Sequence, residues 1–313
     1  MAQVFIVSFT EPGVIAKGKG SANIIKRFSQ SLTNMGIQAE VLTFEELLHR
    51  GKTTDPQAFV LLHYNELFFI RDRKVSWLRS RESEIKALGY KILHSADTGR
   101  IVGHKSRQNK TLKSAEVPMP RELKDQDQFE VAFSNAVNDA HVPTQLIDGG
   151  GALDESRYNT DYVDCRYEFQ GEMWNVCLRA QVVGAQVLFA WVRAGKDASV
   201  HTRDTPVDAD LIRHFHDLLI RPNMDQIKTI SQRVKDALGV GFFAHDILPC
   251  KKTGRLLLCE TNFKFYDGNY RFLMKPIADK HPNPAFFDGR KVGRRMARLL
   301  ISELELETQK APA

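Results

Sequence analysis

The chain has 313 residues, 42% of them hydrophobic, which exceeds one ordinary domain and allows a large buried core. Its 44 basic and 38 acidic residues interleave, and the net charge of +6 comes with no nucleic-acid motif; this excludes a nucleic-acid-binding protein and points to a mildly basic surface with an anion site. The longest apolar stretches are strand length and residues 1–4 carry no charged-then-apolar leader, so a cytoplasmic protein without a membrane span is expected.

The first hundred residues predict an open α/β unit. Residues 4–7 form a buried strand, and Ser21 caps a helix in which Ile24, Ile25, Phe28, Leu32 and Met35 recur at helical spacing until Gly36. Strands at 41–42 and 59–62, a helix holding Trp77, Leu78, Ile85 and Leu88 up to Gly89, and a strand at 91–93 complete a small parallel sheet. Gly13, Gly18 and Gly20 fit neither the dinucleotide nor the P-loop spacing, so this stretch reads as a loop lined by Lys17 and Lys19.

Residues 106–115 predict a helix, 125–128 a solvated turn and 129–133 a strand. Residues 161–169, 172–183 and 186–193 read as three successive antiparallel strands, with turns at Gln170 and Gly171 and at Gly184 and Ala185. Thr205 is the expected cap of a helix with Pro206 at its first position and Leu211, Ile212, Phe215, Leu218 and Leu219 as its apolar stripe, which leaves His214 and His216 at the rim. A second helix near 225–238 closes at Gly239. Cys165, Cys177, Cys250 and Cys259 show no paired spacing, so neither a zinc site nor a disulfide framework is argued.

The strongest chemical signal lies at 240–263. Two apolar runs, 240–244 and 256–259, flank a turn at 251–255 and read as adjacent strands. Asp246 follows the first and Glu260 the second, and Asn262 shares a face with Glu260 because strand side chains alternate with period two. Two carboxylates and an amide oxygen suit Mg²⁺, which takes few protein ligands and completes its octahedron with water and phosphate oxygens. The competing reading is a pair of strand ends facing solvent, but acids directly after Phe243 and Leu258 must find partners or leave the core.

This arrangement resembles the ATP-grasp superfamily, in particular carboxylate–amine ligases of the glutathione synthetase and ribosomal-protein glutamate ligase types, where an Asp on one strand and a Glu-x-Asn on the next hold magnesium against ATP. Lys105 stands fifteen residues before Pro120, and residues 111–120 resemble the helix and Pro-x-Pro turn that enter the nucleotide-binding domain. Residues 178–184 resemble the strand that carries a phosphate-facing arginine, here Arg179, and Arg193 supplies a second. The resemblance spans nearly the whole chain. It implies a mixed α/β and α+β architecture: an open parallel α/β lobe at 1–102, a small central lobe at 103–170 and an antiparallel-sheet lobe with the metal site at 171–313.

By the same resemblance, ATP and Mg²⁺ are the expected cofactors, Lys105, Arg179 and Arg193 the phosphate contacts, and Arg179 and Arg193 the catalytic pair. The expected reaction joins a small-molecule or peptide carboxylate to an amine through an acyl phosphate. No nucleic-acid or membrane partner is expected, and a homodimer is compatible. Lys17 and Lys19 would serve the acceptor side. Glu168 and Glu172 flank the expected adenine-binding hinge, and either would meet the ribose; His201, Arg203 and Lys264 read equally as solvated loop residues or as contacts of the acceptor or γ-phosphate. Three features depart from the pattern. The stretch 133–139 lacks the second phosphate lysine and offers Asn135 in its place, a glycine-rich flap is not evident before the glycines at 149–151, and residues 263–267 replace the small turn that usually follows Glu-x-Asn. These departures keep a small-molecule kinase and a nucleotide-binding regulatory pseudoenzyme open as alternatives.

Overall fold

The computed structural model describes residues 2–9, 21–66, 74–137 and 144–308. Lys17, Lys19 and the glycines at 13, 18 and 20 lie outside them. Near-continuous apolar runs give strands buried on both faces, and such strands assemble as a helix-covered parallel sheet. Here β1 (Gln3–Ser8), β2 (Gln38–Leu42), β3 (Ala58–His63) and β4 (Lys91–Leu93) run parallel in the order β2-β1-β3-β4. Helices α1 (Ser21–Thr33), α2 (Phe44–Arg50) and α3 (Val75–Ala87) pack with these strands, and a reciprocal cap between Thr43 and Glu46 starts α2. Trp77 of α3 is 44% exposed and packs edge-on against Phe9. Two short helices, α4 (Ala96–Val102) and α5 (Lys105–Ser114), lead out of this unit.

Next comes a small antiparallel sheet of β5 (Val131–Asn135), β6 (Gln145–Asp148) and β7 (Tyr158–Asp161), ordered β6-β5-β7 around its own core of Leu123, Ala132 and Leu153. The strand expected at 161–169 is corrected here. Asp161 ends β7, whereas β8 (Arg166–Phe169) belongs to another sheet. Between them the backbone changes partners, from Val131 O, which accepts the Tyr162 N–H at 2.9 Å, to Lys251, whose N–H donates to Asp164 O at 2.9 Å.

The larger antiparallel sheet contains β8, β9 (Glu172–Val183), β10 (Gln186–Gly195), β11 (Phe242–Pro249) and β12 (Leu256–Phe263), in the order β10-β9-β11-β12 with β8 on the first residues of β9. Helices α6 (Ala209–Phe215) and α7 (Met224–Leu238) connect β10 to β11, and α8 (Gly268–Met274) and α9 (Gly289–Glu303) follow β12. The expected cap of α6 is also corrected. Asp208 accepts the N–H groups of Asp210 and Leu211, while buried Thr205 turns its hydroxyl to the Ala194 N–H at 3.2 Å. Helix α9 crosses α1 at Gly293, where a Cβ would stand 2.9 Å from the carbonyl carbon of Arg27, so only glycine allows this approach. One apolar core, including Phe5, Phe28, Phe242 and Trp191, runs through both the parallel and the larger antiparallel sheet. Among the described residues no helix is long and apolar enough to cross a membrane.

Candidate functional site

Alternation along β9 sends Leu178, Ala180 and Val182 into the core and leaves Arg179 on the opposite face, toward a cleft of about 1290 Å³. Cross-strand register then aligns the chemistry: Arg179 lies opposite Asp246, and Asp246 lies opposite Glu260. A bulge between these pairs and Ile247 inserts Cys259 into β12 and re-aims the strand next to Glu260. Arg193, Asn262 and Lys105 line the same cleft. The three expected oxygen donors and three expected cations therefore share one wall.

Asp246 is the hub. Arg193 Nη2 lies 2.6 Å and Arg179 Nη1 3.1 Å from Asp246 Oδ1, and Arg179 Nη1 also donates to Oδ2 at 3.2 Å. Arg179 Nε stands 3.7 Å from Asp267 Oδ2, and Arg193 Nη2 reaches Cys177 Sγ at 3.3 Å. All three hub residues are buried. Burial alone would push the Asp246 carboxyl up, but the Arg179 and Arg193 guanidiniums outweigh it and hold the group below the ordinary carboxylate value. The two guanidinium contacts at Oδ1 are close in distance, and the oxygen itself is buried.

Glu260 is more open. Lys105 Nζ lies 3.7 Å from its Oε2, and Asn262 Nδ2 donates to Oε1 at 3.2 Å. What holds Lys105 here is Gln108, one turn on in α5. Its buried amide donates to Thr261 O at 2.8 Å and accepts the Thr261 N–H at 2.7 Å, clamping the helix to β12 between the two expected ligands. Nothing in the local sequence marks Gln108, because its partner is 153 residues away.

Two carboxylates and an amide form a hard, oxygen-only donor set that fits Mg²⁺ completed by phosphate oxygens and water. Among the described residues no group of three His, Cys, Asp or Glu side chains forms a closed metal cage.

Asn135 ends β5 and lines the cleft from the small sheet, its Oδ1 accepting the Ala136 N–H at 2.8 Å. Glu168 and Glu172 do not line the cleft, and Glu172 pairs instead with Lys196 at 2.7 Å. The reason is the break at 162–165: this crossing segment, with Tyr162, Val163 and Cys165 on the cleft, precedes both glutamates. His201, Arg203 and Lys264 all line the cleft; the His201 N–H bonds Asp204 at 2.8 Å, and the largely exposed Arg203 stands 3.7 Å from the same residue. Glu66, not singled out by the sequence, lines it from the carboxyl end of β3.

No protein-family model matches the chain, and no curated protein matches it. Solved structures do. The ATP-grasp ligase PsnB with a phosphomimetic variant of its minimal precursor, Mg and ADP superposes with a TM-score of 0.51 at 13% identity, covering 97% of this chain and 99% of that one. The ADP complex of purK, an N5-carboxyaminoimidazole ribonucleotide synthetase, gives 0.51 at 9% identity, covering 98% and 78%. The chain has the ATP-grasp fold. The cleft lies between the small sheet and the larger antiparallel sheet, and Asp246, Glu260 and Asn262 line it.

Proposed function

We propose that the protein is an ATP-dependent carboxylate–amine ligase that works through an acyl phosphate. One observation carries this reading: Asp246, Glu260 and Asn262 converge with Lys105, Arg179 and Arg193 on one wall of a nucleotide-sized cleft. Mg²⁺ held by Asp246, Glu260 and Asn262 would withdraw charge from ATP phosphate oxygens. Arg179 and Arg193 are already desolvated and fixed, so they stabilise a transferring phosphoryl group with little reorganisation. Lys105 adds a third positive charge from α5. The crossing segment 162–165 takes the place of Glu168 and Glu172 as the edge for the nucleotide base. A substrate carboxylate then attacks the γ-phosphorus and ADP leaves; an amine displaces phosphate from the acyl phosphate and forms the amide. The ligase and synthetase named in the two superposed structures, both with ADP, support the class of chemistry.

Asn135, a neutral side chain on the phosphate side of the small sheet, favours a second reading in which the nucleotide is bound without turnover. Mg²⁺-dependent ADP release in the presence of mixed amino acids and small carboxylic acids separates the two, and product analysis separates a ligase from a kinase. An amide product with free phosphate is expected. A phosphorylated acceptor would make the protein a kinase, and absence of ADP release despite ATP binding would make it a binding protein.

A further inference from the structure

We infer that Glu66 docks the ammonium group of the amine substrate. The inference rests on the ligase reading and adds the amine subsite to it. Glu66 follows β3, and the carboxyl ends of parallel strands are where an open α/β sheet presents its ligand crevice. Its side chain is only 5% exposed yet lines the cleft, and Oε1 accepts the Phe263 N–H at 3.2 Å. That bond places the carboxylate one residue beyond Asn262, beside the phosphate wall.

The charges around it define the ligand. Lys264 and Glu260 are the charged groups whose fields reach Glu66, and among the described residues no cation lies within salt-bridge distance of it. His63, the last residue of β3, is held neutral by burial and supplies no counter-charge. Burial raises the Glu66 carboxyl to about 7, against the pull of the Phe263 N–H and Lys264. A buried carboxylate that no described cationic residue pairs with repels phosphate and a substrate carboxylate, and it gains most from an incoming cation. In the proposed reaction the amine is the only cationic reactant, and Glu66 lines the same cleft from the end of the parallel sheet, beside Phe263.

The test uses the whole protein saturated with Mg·ADP. The twenty amino acids and their N-acetyl derivatives, which lack the ammonium, are titrated one at a time by calorimetry. At least one free amino acid is expected to bind, with its N-acetyl counterpart at least tenfold weaker. Glu66→Gln keeps the acceptor for Phe263 N–H, so Mg·ADP affinity should stay within about twofold while the free amino acid falls to the N-acetyl level. No difference between free and acetylated ligands in the wild type overturns the inference, as does undiminished binding in a variant that still takes Mg·ADP. If the variant fails to fold, the wild-type comparison still decides. Failure of the wild type to bind Mg·ADP would instead overturn the ligase reading itself.

Discussion

Asp246→Asn and Glu260→Gln remove one charge each from adjacent cross-strand positions with little change in volume, yet they should differ sharply in stability. Asp246 is buried between two guanidiniums, at 2.6 and 3.1 Å, with side-chain exposures of 6–9% across the trio. Removing one partner of a buried ion pair leaves uncompensated charge and costs about 3–5 kcal/mol. For a chain of this size that lowers Tm by about 5–8 °C. Glu260 is 27% exposed and faces one lysine at 3.7 Å, a contact worth at most about 1 kcal/mol, so its variant should melt within about 3 °C of wild type. Both variants should lose Mg²⁺-dependent ADP release, because each loses a candidate ligand. Thermal melts followed by circular dichroism, paired with a coupled ADP assay, read the two effects separately. Equal melting temperatures would refute the buried-hub argument, and wild-type turnover in folded Glu260→Gln would remove the metal assignment.

Two further outcomes follow from other parts of the molecule. Asn135→Lys should tighten ATP binding at fixed salt, because a cation facing a partly enclosed phosphate gains far more than a neutral amide; turnover need not rise, since uniform binding leaves the barrier unchanged, and unchanged or weaker affinity would show that residue 135 does not meet the phosphates. Burial lowers His94 and His245 to about 3 and His63 and His281 to about 4, so the native state keeps them neutral while the unfolded chain protonates them below about 6.5. That stability is complete above pH 6.5 and drains as pH falls. At pH 5 the loss is about 2 kcal/mol per histidine, and Glu66, shifted upward, offsets about one of the four. Urea midpoints should therefore drop between pH 7.5 and 5, and a flat profile would contradict the buried neutral histidines.

The sequence carried the features that repeat locally. Strands with apolar runs, helices with 3.6-residue stripes and the alternation of Glu260 and Asn262 are all local signals, and they placed the parallel sheet and the strand pair that carries Asp246 and Glu260. Residues 161–169 went wrong because an extended polypeptide crossing between sheets has the same composition as a strand; only its change of partners, from Val131 to Lys251, reveals the break. Glu168 and Glu172, set at the hinge by resemblance, come after this crossing segment and do not line the cleft. Thr205 and Asp208 both suit a helix start, and the Ala194 N–H, eleven residues upstream, claims the threonine. Glu66 and Gln108 were invisible for a further reason. Each is a lone polar residue whose role depends on the backbone of β12, 197 and 153 residues away.

The cleft is electrically lopsided, and this couples metal to nucleotide. The small sheet presents neutral Phe133, Asn135, Tyr158 and Thr160 and the acidic Asp161, while the cleft-lining cations Arg179, Arg193, Lys105 and Lys264 come with Asp246 and Glu260 from the larger sheet, α5 and the segment after β12. On the proposed reading the phosphates would lie against the cations of the larger sheet. There, however, Asp246 already engages both guanidiniums, so a phosphate must compete with a buried carboxylate for them. On the proposed reading, a metal that took the Asp246 oxygens would free both arginines for the phosphates, and metal and nucleotide would bind as a unit. Asp246→Asn mimics the second half of that exchange without the first. In EDTA, at low temperature where the variant stays folded, it should bind ATP several-fold more tightly than wild type, although with Mg²⁺ present it turns nothing over. The two dissociation constants at fixed ionic strength decide the point. Equal or weaker affinity in the variant would mean that Asp246 does not hold the arginines back, and that the carboxylate only supports their geometry.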